Sequence, residues 1–243
     1  AVTDLKYPEG KAADPADVRA ALQKDPSITA VLVTHNETST GITNDLEAIA
    51  RVVKVEFDKL LLVDAISSLG SIRLATDAWK LDVVVSASQK GWMCPPGVAM
   101  ISVSPRAWEA HKAAAMPRFY FDLTAAKNYA KIGQTPWTPA IALFYGMDFA
   151  LTKMLASADM RAVYEFHQHK AQYTRDQLVG LGLKLVATDL KYASNTVTAA
   201  YLPPGITDER LLGVLRDDFD IIVAEGRGAL AGKVFRIGHM GYV

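Results

Sequence analysis

Four short, nearly continuous apolar runs, Thr29–Thr34, Leu60–Asp64, Asp82–Ser86 and Val98–Val103, alternate with segments of helical spacing, and this alternation constrains the fold more than any other feature. A strand that is apolar at successive positions needs cover on both faces, and helical crossovers supply it. The runs therefore predict an α/β fold with an open, mostly parallel sheet. A first helix is expected from Asp14, a capping residue followed by Pro15, to Lys24, with Pro26 as a stop. His35 to Gly41 reads as a polar loop. A second helix follows from Asn44 to Val55, where Leu46, Ile49, Ala50 and Val53 share one side. Past Thr138 the texture changes. Helices are expected over Thr138–Leu155 and Asp159–Val179, then a strand over Thr196–Tyr201, a turn at Pro203–Gly205, a helix over Thr207–Leu215, and short strands over Ile221–Val223 and Lys233–Ile237. That order predicts a large domain with its linking helix over residues 1–155 and a small α+β domain over 156–243.

Composition narrows the partners. Lys plus Arg and Asp plus Glu each total 26, so the formal charge is zero and no excess attracts a nucleic-acid backbone. One cysteine excludes an internal disulfide framework and a multi-thiolate metal site, and no metal site is expected. The apolar stretches fall short of a membrane span and the first residues resemble no secretory signal, so the expected setting is the cytoplasm, without a membrane partner.

In a parallel open sheet, ligands bind beyond the carboxyl ends of the strands. There the chain places His35, Asn36, Glu37, Thr38, Ser39 and Thr40 after the first run, Asp64, Ser67 and Ser68 after the second, and Ser86, Ser88, Gln89 and Lys90 after the third. No Gly-x-Gly-x-x-Gly run or Walker loop is present. Asp64 has two readings: an acid capping the next turn, or an acid that keeps a heteroaromatic nitrogen protonated. Lys90 is either a solvated loop lysine or, immediately after a buried strand, an imine-forming amine. Acid and amine together describe pyridoxal phosphate chemistry. His111, His167 and His169 read as structural or solvated, and Cys94 as a small buried hydrophobe.

Thr34–Gly41 (THNETSTG), Val63–Gly70 (VDAISSLG), Ser86–Gly91 (SASQKG), Thr135–Pro139 (TPWTP) and Phe235–Gly238 (FRIG) stand in one order through essentially the whole chain. In these motifs the sequence resembles the class V, fold-type I aminotransferases, nearest the alanine/serine–glyoxylate group. The resemblance implies transamination between a small amino acid, alanine or serine, and a 2-oxo acid such as glyoxylate, with pyridoxal 5′-phosphate as cofactor. It implies that Lys90 forms the imine with the cofactor and shuttles the proton, that Asp64 pairs with the pyridine nitrogen, that Thr38 contacts the phenolic oxygen, and that Ile66 lies beneath the ring. Gln89 matches a phosphate-side contact. Thr135 and Thr138 match residues that reach the other subunit's phosphate in a homodimer, and Arg236 matches the arginine that grips the substrate α-carboxylate. Without the motif, Arg236 reads as a strand-end surface residue. The chain begins where such a protein is already well inside its large domain, so the family's N-terminal third is expected on a complementary polypeptide segment, with an apolar sheet surface left open without it. The alternatives are a noncatalytic truncated subunit or fragment of this fold and a cysteine desulfurase-like enzyme. For the latter, Cys94 before Pro95 and Pro96 is an awkward mobile nucleophile.

Overall fold

Asp14 accepts a hydrogen bond from the Ala16 N–H, Pro15 fills the first turn, and helix α1 (Pro15–Lys24) runs from there in a computed structural model that describes residues 2–156 and 159–241. Strand β1 (Ala30–Thr34) follows. The stretch expected as a loop folds on itself instead: β2 (Asn36–Glu37) pairs antiparallel with β3 (Ile42–Thr43). Its turn is closed by the Glu37 carboxylate, which accepts from the Ser39 N–H and hydroxyl, and by Gly41 at φ +71°. Helix α2 (Leu46–Ala50), capped by Asp45, continues through Arg51–Glu56 in wider π-type turns, where β-branched Val52, Val53 and Val55 crowd the α-helical repeat. Strands β4 (Leu60–Asp64), β5 (Val83–Ala87) and β6 (Ala99–Val103) complete a sheet of order β1-β4-β5-β6. The first three are parallel and β6 is an antiparallel edge. Helices α3 (Pro105–Lys112) and α4 (Leu123–Ala130) come next.

The two sheet faces are treated differently. Leu61, Val63 and Val84 point into a core shared with Val18, Leu22, Leu46, Ile49, Val52 and Val53 from the helical segments. The residues in register on the other side, Leu32–Leu62–Val83 and Asp64–Val85–Ile101, form an open face, with Leu32 75% and Ile101 48% exposed. The two-sided cover that the apolar runs call for is thus supplied on one face only by the described residues.

Helix α5 (Ile141–Ala156) begins three residues later than expected, because Pro139 disfavours helical geometry at Thr138. Residues 157 and 158, next to the expected domain boundary, lie outside the described residues. Helix α6 (Met160–Gly180) is capped by Asp159. Strand β7 (Val197–Tyr201), helix α7 (Asp208–Phe219), β8 (Ala224–Glu225) and β9 (Val234–Gly238) then build a smaller antiparallel sheet of order β7-β9-β8. Ile221–Val223, expected as a strand, is not one. Asp220 adopts a left-handed conformation and the Ile221 N–H bonds back to the Leu215 carbonyl, so this stretch terminates α7 and pairing starts only at Ala224. Leu178, Leu185, Ala200 and Phe235 form the main apolar cluster beneath this sheet.

Candidate active site

Thr34, Asp64 and Val85 stand in register at the carboxyl ends of β1, β4 and β5. The Asp64 side chain is exposed, and its Oδ1 accepts from the Ile66 N–H at 2.9 Å. Asp64 therefore caps the next turn and at the same time presents a carboxylate at the sheet edge. Ile66 is half-buried beside it, and Gln89 is exposed. Half-buried Lys90 lies three residues past the end of β5, in a turn closed by the Met93 N–H on its carbonyl. That turn rests directly on the one after β4. A Cβ on Gly91 would fall 2.5 Å from Ser71 Oγ and 2.6 Å from the Leu69 carbonyl oxygen. Trp92 packs here as well, donating its Nε1–H to Ser86 Oγ at 3.0 Å. Cys94 is buried, with its sulfur 3.5 Å from the Leu143 carbonyl, which suits a packed thiol rather than a mobile nucleophile.

Arg236 is not a surface residue. It sits mid-strand in β9, 6% exposed, and donates from Nε to the Glu225 carbonyl at 2.9 Å and from a terminal nitrogen to the Thr38 carbonyl at 3.0 Å. The guanidinium is thereby placed against the β2–β3 turn, 198 residues away in sequence. Its pKa is lowered by burial first and by the neighbouring Arg227 second, with Glu37 and Glu225 opposing. Its described hydrogen bonds go to backbone carbonyls and none to a carboxylate, so the positive charge stays available for an incoming anion.

Thr135 and Thr138 are exposed between α4 and α5; Thr135 donates to the Trp137 carbonyl, and no described hydrogen bond joins either threonine to the residues above. Three buried histidines have local partners. His35 lies 2.9 Å from Ser68 Oγ, and burial pushes its imidazole down to about 4. His239 pairs with Thr198 Oγ1 at 2.9 Å and is likewise lowered to about 4, mainly by burial. His167 bonds the Val163 carbonyl and accepts from the Gly241 N–H. Asn36 and Ser67 carry no assigned role in the sequence, yet they lie at the centre of the hydrogen bonds around the site, and Thr196, a second partner of Asn36, lies 160 residues away with no local signal to reveal it.

A half-buried lysine, a carboxylate one strand away and a guanidinium with no carboxylate hydrogen bond among the described residues suit a cofactor that presents an aldehyde to the amine and a basic ring nitrogen to the acid, together with a substrate bearing a carboxylate. Residues 1–239 match the family described as aminotransferase class-V. The chain is 45% identical to the soluble hydrogenase small subunit of Synechococcus sp. over 98% of its length and 62% of that protein's. It is 35% identical to the serine–glyoxylate aminotransferase of Methylorubrum extorquens, over 96% of its own length and 60% of that protein's. The crystal structure of an alanine–glyoxylate aminotransferase from Nostoc sp. superposes with a TM-score of 0.90 at 31% identity, covering 98% of this chain and 63% of that one. The chain thus spans about three fifths of the length of the relatives it matches.

Proposed function

The chain belongs to the class V aminotransferase family, and from that premise we propose that it carries most of the active site of a pyridoxal 5′-phosphate-dependent aminotransferase that moves an amino group from alanine or serine to a 2-oxo acid such as glyoxylate. The observation that carries this reading is the hydrogen bond from buried Arg236 to the Thr38 carbonyl, which draws a cation from the small sheet to the edge where Asp64 ends β4. Pyridoxal 5′-phosphate supplies the aldehyde that takes up an amine and the ring that accommodates negative charge developing at the substrate Cα. Lys90 Nζ would hold the cofactor aldehyde, and as a free amine it would carry the proton from and back to the substrate Cα. The Asp64 carboxylate would keep the ring nitrogen protonated. Arg236 binds the substrate α-carboxylate through its planar fork and so fixes which Cα bond faces Lys90. Thr38 would bind the phenolic oxygen, Ile66 would give the ring apolar support, and Gln89 would bind the phosphate.

Thr135 and Thr138, exposed on this chain, serve the phosphate of a second subunit in a homodimer. The open face around Leu32 and Ile101 receives a complementary segment equivalent to the part of the relatives' length that this chain does not span. Incubation of the cofactor-loaded protein with single amino acids tests the activity. Alanine or serine should discharge the cofactor aldehyde with release of the matching 2-oxo acid, and glyoxylate should restore it. Sulfur release from cysteine without that discharge would instead indicate a desulfurase. The open sheet face, together with the hydrogenase-subunit name of the 45%-identical relative, favours one second reading, a noncatalytic subunit of the same fold. Stoichiometric cofactor capture with turnover excludes it. Native mass spectrometry distinguishes a homodimer of these chains from one that also holds a smaller complementary polypeptide.

A further inference from the structure

The β2–β3 hairpin lies in sequence within the large-sheet segment, but it is fastened to both sheets, and Asn36 is where the fastenings meet. The residue is 3% exposed. Its Nδ2 donates to Ser67 Oγ at 2.9 Å and to Thr196 Oγ1 at 3.0 Å, its Oδ1 accepts from Thr43 Oγ1 at 2.7 Å, and its carbonyl accepts from Ser67 Oγ at 2.8 Å. Ser67 lies three residues past Asp64, in the turn that Asp64 caps. Thr196 leads into β7, which pairs with β9 so that Ala199 stands opposite Arg236. One carboxamide therefore spans the acid-bearing turn and the arginine-bearing sheet. Neighbouring contacts hold the hairpin in the same place. The Ser194 N–H donates to the Gly41 carbonyl at 2.8 Å, and a Cβ on Gly41 would lie 3.1 Å from the Val197 carbonyl oxygen.

We propose that Asn36 is a positioning residue of the active site, setting where the Arg236 guanidinium stands relative to Asp64. Both amide hydrogens are engaged in fixed directions, so the separation of Ser67 from Thr196 is defined within the narrow range that hydrogen bonds tolerate. An aspartate has the same shape but cannot donate, and alanine removes one hydrogen-bond partner each from the hydroxyls of Ser67, Thr196 and Thr43. The inference rests on the reading of Arg236 as the carboxylate anchor.

Two readouts separate positioning from mere stabilisation: calorimetric affinity for propionate, which has the carboxylate and no amine, and borohydride-fixed pyridoxyl on Lys90. Both are measured on the full chain incubated with pyridoxal 5′-phosphate. In Asn36→Ala the propionate dissociation constant should rise by about tenfold or more while pyridoxyl incorporation stays within about twofold of the parent. Thr196→Val, nearly isosteric, should shift propionate in the same direction by a smaller factor and serves if Asn36→Ala does not fold. Unchanged propionate affinity, or a parallel fall of both readouts, overturns the inference. Failure of the parent to bind propionate, or retention of that binding by Arg236→Gln, overturns the reading of Arg236 on which the inference rests.

Discussion

Replacing Gly91 with alanine puts a methyl group where the structure has no room for one. The new carbon would lie 2.5 Å from Ser71 Oγ and 2.6 Å from the Leu69 carbonyl oxygen, against an ordinary contact distance starting at 3.4 Å, so the two turns must separate by about 0.8–0.9 Å. Ser71 is fully buried and the Leu69 oxygen is main chain, which leaves little give except in the backbone of one turn. Overpacking of this kind costs about 1–3 kcal/mol. At about 2–4 °C per kcal/mol for a chain of this size, Tm should fall by about 2–12 °C. Lys90 adjoins the displaced residue, and a misplacement of that size should slow cofactor capture by up to about a hundredfold. Thermal unfolding followed by circular dichroism and the rate of borohydride-fixed incorporation read the two effects. Ser71→Ala supplies the control. Its hydroxyl is buried with no hydrogen-bond partner among the described residues, so deletion alone should be neutral to slightly stabilising, and combining it with Gly91→Ala should restore part of the loss, since the Leu69 contact persists. A Gly91→Ala protein that melts with the parent and captures cofactor at the parent rate would refute the argument that these turns brace each other.

Stability should depend on pH through the buried histidines. His35 and His239 sit near 4 when folded against an ordinary 6.5, so between these values the unfolded chain binds more protons; stability is complete above about pH 6.5 and is lost as the pH falls toward about 4. The His35 contribution is of order 3 kcal/mol, and His35→Gln should flatten the urea midpoint between about pH 7 and pH 5 by its share. The two sheet faces should respond differently to truncation. Leu61→Ala, at 0% exposure, should cost about 2–5 kcal/mol, whereas Leu32→Ala, at 75% exposure, should cost well under about 1 kcal/mol in this chain, both read by denaturant unfolding. Equal costs would contradict the description of the open face.

The parts of the fold written in local pattern were legible. Apolar runs located β1, β4, β5 and β6, a capping residue located α1, and helical spacing located α6 and α7, because these signals act over a few residues. Features set by distant contacts were not. The hairpin of β2 and β3, over residues 36–43, is held by partners around residues 193–197, and no neighbouring residue announces them. Ile221–Val223 has the composition of a strand, but it is committed to ending α7 and leaves Ile222 85% exposed. Arg236 illustrates both limits. Its own sequence context suits a surface strand end, and its burial follows from Thr38 and Glu225, which only the assembled sheets bring to it. The apolar runs also promised cover on two faces, a requirement on the surroundings that local sequence states without saying what fulfils it.

The central claim is that Lys90, in the turn three residues past the end of β5, is the amine that holds the cofactor. Incubation with pyridoxal 5′-phosphate, reduction with borohydride and peptide mass mapping test it directly. The account predicts a single phosphopyridoxyl increment on the peptide containing Ser86–Gly91, lost in Lys90→Ala while the circular dichroism spectrum is retained. A label on another lysine, or none on a folded protein, would contradict it.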